Sequence, residues 1–208
     1  MRLTRLIERP PGWFRKLVKG GEFRLPSTDG KKRVYLTFDD GPIPEVTPLV
    51  LDILDRYGVK ATFFMVGQNV ERHPELLDEI RRRGHGVGNH TLHHLQGLKS
   101  STEDYLEDVE AAGRLIGGNL FRPPHGWLRP AQARALRAGY RIIMYDLVTR
   151  DYSKWLSPED VVRNVKELAR DGSVIVFHDS IKSWPRLQTA LPAALEWLIA
   201  EDYEFGLI

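Results

Sequence analysis

The sequence predicts an α/β fold in a single domain, a parallel barrel of the TIM type, on three observations. Short apolar, β-forming runs alternate with helix-length segments from residue 33 to the end, a rhythm that implies parallel strands joined by crossover helices. About seven such runs can be counted, which favours a barrel, closed or incomplete, over an open doubly wound sheet. Charged and imidazole side chains also gather just after the runs instead of within them, and that is where such barrels keep their active sites.

The elements follow in order. VYLTF (Val34 to Phe38) is the first strand, and Thr47 with Pro48 behind it marks the start of a helix reaching Tyr57, an N-cap residue followed by proline at the first helical position. ATFFMV is the second strand. Pro74 opens a helix that Gly84 ends, and HGVGN is a short, Gly-rich third strand. Ser101 with Asp104 resembles a capping box for a helix running towards Gly117. NLFR, RIIMYDLV and SVIVF supply three more strands, separated by a helix opened at Pro130 and one capped by Ser157 ahead of Pro158. A last helix over Thr189 to Ala200 precedes a terminal strand near Tyr203 to Ile208.

Bulk composition narrows the function. The 208 residues carry 30 Lys and Arg against 28 Asp and Glu, a net charge of +2, too small for a nucleic-acid protein driven by electrostatics. Without cysteine there is no thiol chemistry, disulfide or thiolate metal site. No apolar run has the length of a membrane span. Residues 1–30 read as a short basic extension ahead of a catalytic domain at 31–208. Its start, MRLTRLIERPPGWFRKLVKG, lacks the apolar middle of a secretory signal, so a cytoplasmic or membrane-peripheral location is expected, with export left open. Leu3, Leu6, Ile7, Trp13, Phe14, Leu17 and Val18 lie between its charges. They either pack on the domain or let residues 1–20 associate weakly with anionic lipid.

Seven ionisable side chains from five segments, Asp39, Asp40, His90, His94, Arg122, Asp151 and His178, would meet at the strand ends. The four-residue spacing of His90 and His94 points both imidazoles one way on a helix or helical turn, while His93 faces elsewhere. Two imidazoles and one carboxylate suit a divalent transition ion with a position left for water. Asp39 and Asp40 repel if both are charged and unpaired. Turn chemistry explains one acid before Gly-Pro; a second is explained if one binds a cation and the other faces a water as general base.

TFDDGP, HTLHH, RPPHG, the Asp151–Tyr152 pair and VFH resemble the five motifs of the polysaccharide deacetylases, the family with the NodB-homology domain, also called carbohydrate esterase family four. The resemblance spans roughly residues 33–180, and it implies a distorted (β/α)7 barrel and removal of N-acetyl groups from a GlcNAc-containing polysaccharide or oligosaccharide. It further implies Asp39 as general base, Asp40, His90 and His94 as ligands of one divalent ion (Zn2+ expected, Co2+ or Ni2+ as alternatives), and Arg122 orienting Asp39. His178 would be the general acid tuned by Asp151, and the His125 N–H would support the oxyanion. His125 stands where tyrosine is common, Tyr152 where tryptophan is usual and Val176 where leucine is usual; the last two would wall the acetyl pocket. Trp127 is the candidate sugar platform, whereas Trp155 and Trp184 read as structural, as do His73 and His85. The same machinery on an O-acetyl ester or a small non-sugar amide is the alternative. A non-catalytic sugar-binding module would show a lost base or acid, and both Asp39 and His178 are present.

Overall fold

The computed structural model describes residues 8–208, so Leu3, Leu6 and Ile7 fall outside the described residues. A short helix α1 (Gly12–Leu17) precedes β1 (Gly21–Glu22). There follow β2 (Arg33–Asp39), α2 (Thr47–Arg56), β3 (Thr62–Met65), α3 (Gly67–Arg72), α4 (Pro74–Arg82), β4 (Gly86–Asn89) and α5 (Thr102–Ile116). The chain continues through β5 (Leu120–Phe121), α6 (Pro130–Leu136), β6 (Arg141–Ile143), β7 (Leu147–Val148), α7 (Pro158–Leu168), β8 (Ser173–His178), α8 (Trp184–Ala200) and β9 (Glu204–Phe205).

All strand pairs are parallel, in the order β1-β6-β5-β4-β3-β2-β8-β7 with β9 also on β2. RIIMYDLV, expected as one strand, is two: its first half pairs with β5 and β1, its second with β8. Because Met144–Asp146 joins the halves, the same stretch of chain links the two ends of the curled sheet, a distorted barrel whose strand ladder stays open between β7 and β6. The break is held open by Asp146, wholly buried, which accepts hydrogen bonds from Arg15, Arg170 and Ser173.

Alternation along β2 divides its residues between the two faces of the sheet. Val34, Leu36 and Phe38 pack outward under α2, α7 and α8, with Phe38 stacked between Phe63 and Phe177. Thr37 and Asp39 point inward. The inner face also holds Phe64, Leu120, Ile143 and Val174, and Gly88 explains the Gly-rich third strand: a Cβ there would sit 2.5 Å from the Phe64 ring.

Both expected serine caps are present, although the reciprocal box expected at Ser101 forms at Ser157 instead. Ser101 accepts from the Asp104 N–H at 3.0 Å, and Ser157 and Asp160 form a reciprocal box. Thr47 is a correction: it is already helical, and its hydroxyl serves Ile43 N–H and Asp179 instead of capping α2. Helix α3 carries no start signal in the sequence, and α8 begins five residues ahead of the expected Thr189. Phe14, Val18 and Phe23 are buried against Tyr105, Phe121 and Met144, so the extension packs on the barrel over its described part. No helix among the described residues is long and apolar enough to cross a membrane.

Candidate active site

The parallel register delivers the site. Asp39 and His178 are the last residues of adjacent strands and are partners in the ladder, while His90 and Arg122 follow the ends of β4 and β5 directly. Asp151 lies in the turn beyond β7.

Asp39 is buried and accepts from Arg122 Nη1 at 2.7 Å. Arg122 is itself buried, and its guanidinium also donates to the Thr37 hydroxyl at 2.7 Å and to the carbonyls of Ile143 and Met144 at 3.2 and 3.0 Å. Its carbon centre lies 4.1 Å from the Phe64 ring centroid. A buried charge with four of its five N–H donors hydrogen-bonded and a carboxylate alongside is the arrangement in which desolvation is offset.

Asp40 adopts φ 80°, in the left-handed region, and its carbonyl accepts from Asn69. One carboxylate oxygen lies 3.2 Å from His94 Nε2 and 3.8 Å from His90 Nε2. The three potential ligand atoms all fall within 4.8 Å of one another. His90 Nδ1 donates to the Arg122 carbonyl at 2.8 Å, which leaves the Nε2 lone pair facing Asp40, as metal-ligating histidines are usually held. Burial pushes the His90 imidazole down to about 4, so the ring is neutral at ordinary pH, the form in which an imidazole can bind a metal. Burial opposes ionisation of Asp40, but the His94 hydrogen bond and the nearby His178 and His90 keep its carboxyl well below the usual carboxylate range. Two neutral-capable imidazoles and one ionised carboxylate fit a divalent ion of the zinc type.

The two imidazoles do not converge through a helical turn, which corrects the reading of their spacing. Residues 90–96 form an irregular loop with left-handed Thr91 (φ 66°) and His94 (φ 55°). Asn89 accepts from Thr91 N–H, and Thr91 Oγ1 accepts from Leu95 N–H. Asp108 of α5 takes both Leu92 and His93 N–H groups and the His93 ring at 2.5 Å, so His93 does face away.

His178 Nδ1 is 2.8 Å from Asp151 Oδ1, and its backbone N–H donates to Asp151 Oδ2 at 2.7 Å. Burial works against the imidazolium, but the Asp151 charge and hydrogen bond, with Asp40 and Asp39 behind them, raise His178 to about 9. Asp39, Asp40, His90, His94, Arg122 and His178 share one cavity of about 480 Å³ with His125, Trp127, Tyr152 and Val176, and Asp151 sits behind His178. His125 is left-handed (φ 59°), and its ring lies 4.9 Å from that of His94. Tyr152 packs its ring edge-on to His178 at 4.9 Å.

Other residues expected to be structural lie apart from the cavity. His85 accepts from Ala61 N–H and packs edge-on to Phe63; His73 pairs with Glu75. Trp184 packs on the core as expected, whereas Trp155 corrects its structural reading: it is 82% exposed, under Lys154. Sequence reasoning missed the place of Tyr145, Lys182, Pro10, Pro11, Trp13 and Phe14, all of which line the cavity. It also missed Asp179, whose buried carboxyl accepts from Gly41 N–H at 3.1 Å and Thr47 Oγ1 at 2.6 Å and is pushed up to about 8 by burial. A Cβ on Gly41 would lie 2.0 Å from an Asp179 carboxylate oxygen, so Asp179 fixes the turn that follows Asp40. The only signal for it was its place beside His178.

A family model described as polysaccharide deacetylase matches residues 27–143. A Bacillus cereus peptidoglycan-N-acetylglucosamine deacetylase is 35% identical over 185 residues, covering 85% of this chain and 86% of that protein. A chitooligosaccharide deacetylase of a Bradyrhizobium species is 34% identical over 160 residues, covering 72% of each. Among solved structures, a peptidoglycan N-acetylglucosamine deacetylase bound to an N-hydroxybenzamide superposes with a TM-score of 0.82 at 30% identity, over 94% of this chain and 93% of that one.

Proposed function

The chain belongs to the polysaccharide deacetylase family and removes N-acetyl groups from GlcNAc-containing glycans, and we propose how its residues divide that work. Asp40 and the Nε2 atoms of His90 and His94 would hold the divalent ion on which the family depends, zinc in our reading. When bound, the ion is a Lewis acid for the acetyl carbonyl and its attacking water.

Asp39, with one oxygen held by Arg122, takes the water's proton with the other. The His125 N–H supports the charge that develops on the carbonyl oxygen. His178, held at Nδ1 by Asp151, donates its Nε2 proton to the amide nitrogen as the C–N bond breaks, leaving acetate and a free amino sugar. The Asp151 carboxylate at 2.8 Å favours that proton at neutral pH, where an ordinary histidine would have lost most of it. Tyr152 and Val176 wall the acetyl methyl, and Trp127 lines the cleft beside them as a platform for the glycan.

One observation carries this reading: Asp39 and His178 are ladder partners, one locked by a cation and the other by a carboxylate. That sets a base candidate and an acid candidate side by side at one cavity, each held by an oppositely charged partner. Acetate release should be measured from N-acetylated chitooligosaccharides and peptidoglycan fragments after Zn2+, Co2+ or Ni2+ is added to stripped protein. Acetate from O-acetylated xylan alone would replace the amide reading with the ester one.

A further inference from the structure

Four residues of the N-terminal segment, Pro10, Pro11, Trp13 and Phe14, line the same cavity as Asp39 and His178. The segment is fastened there. Buried Glu8 accepts from Arg150 at 2.9 Å, one residue ahead of Asp151. Arg15 donates to Asp146 at 2.6 Å, and Arg9 bonds the Leu168 carbonyl. Desolvating Asp146 is offset only by a fixed set of partners, so the segment is a built wall of the cleft.

Phe14 is buried and braces two tryptophans. Its ring is perpendicular to Trp13 at 6.2 Å (80°) and to Trp127 at 4.7 Å (87°). Yet Trp13 is 64% exposed and Trp127 38%. Large rings fixed at a catalytic cleft but left in water gain little from packing, whereas an amphipathic ring partner would cover them. Pyranose rings present apolar C–H faces of that kind.

We propose that Trp13 and Trp127 form a stacking platform for a pyranose adjacent to the one being deacetylated, so that the N-terminal segment selects glycan chains over single sugars. The kind of glycan rests on the deacetylase reading; the platform itself does not.

The test uses the full chain and two N-acetylglucosamine oligomers, a disaccharide and a hexasaccharide. Binding is measured by calorimetry on stripped protein, and KM and kcat with metal restored. Trp13→Ala should reduce the preference for the hexasaccharide about tenfold, equivalent to about 1.4 kcal/mol of ring burial. The loss should fall in KM and not in kcat, and Trp13→Tyr should recover most of it. An unchanged preference in Trp13→Ala overturns the platform. So does Trp13-dependent binding to phosphatidylglycerol vesicles without Trp13-dependent hexasaccharide binding, which would assign the ring to a membrane surface. Trp13-dependent binding in a wild-type protein that releases no acetate from any glycan supports the platform and removes the catalytic reading instead.

Discussion

The Arg122 carbonyl accepts the His90 Nδ1 proton at 2.8 Å while the Arg122 guanidinium holds Asp39 at 2.7 Å. One residue therefore orients a metal-ligand candidate with its backbone and the base candidate with its side chain. A lysine keeps the charge but cannot reach Thr37, Asp39, Ile143 and Met144 together, because an ammonium lacks the planar fork. Arg122→Lys is expected to lower turnover about 10–100-fold at saturating metal. Arg122→Met, which strands a buried carboxylate, should cost about 3–5 kcal/mol of stability. Turnover assays and urea midpoints check both, and full turnover in Arg122→Lys would remove Arg122 from the orienting role.

Asp39 and Asp40 are neighbours with separable expected roles. Asp39→Asn should still bind one metal ion per chain but lose about two to four orders of magnitude in turnover. Asp40→Asn should lose metal and activity together. Chelation should abolish the wild-type activity and added Zn2+ should restore it. Elemental analysis of the two variants decides the assignment: metal lost from Asp39→Asn and kept in Asp40→Asn would reverse it.

Much of this site could be read from the sequence because its residues sit at strand ends, where β-forming runs stop abruptly at Asp39, His90, Arg122 and His178. What was not legible depends on tertiary partners. The break in RIIMYDLV is imposed by arginines remote in sequence, Arg15 and Arg170, which converge on Asp146. The His90–His94 spacing suited a helical turn, but Asp108 of α5 and left-handed Thr91 and His94 set another path. The wall from Pro10 to Phe14 is two prolines leading into a six-residue helix, Gly12–Leu17, without a capping side chain, so no local periodicity announced it.

Asp146 gives a pH-dependent stability. Burial opposes its ionisation, but hydrogen bonds from Arg170, Arg15 and Ser173 hold its carboxyl at about 2. A depressed carboxylate stabilises the fold above its unfolded value near 3.9, and that stability is lost as pH falls through the folded value. The contribution is on the order of 2 kcal/mol and should disappear between about pH 4 and pH 2. Asp146→Asn should be less stable at neutral pH and show a shallower loss over that window. Parallel wild-type and variant curves in urea unfolding would mean that Asp146 does not set the acid limb.

Asp151 and His178 set the last expectation. If ionised Asp39 is the base and protonated His178 the acid, turnover rises as Asp39 ionises and falls as His178 loses its proton. Burial alone would depress His178; Asp151 is the foremost of the groups that raise it to about 9. An opposite charge at hydrogen-bond distance typically shifts a partner by about 1–3 units. Asp151→Asn keeps an oxygen to accept the His178 backbone N–H, now at 2.7 Å, but removes the charge. The upper limb should therefore move about 1–3 pH units lower, with the lower limb nearly in place. A bound divalent ion lowers His178 in wild type and variant alike, so the difference between the two profiles isolates Asp151. If the upper limb of Asp151→Asn stays where it was, the carboxylate serves only to hold the end of β8, and the proton donor is tuned by Asp40 and Asp39 instead.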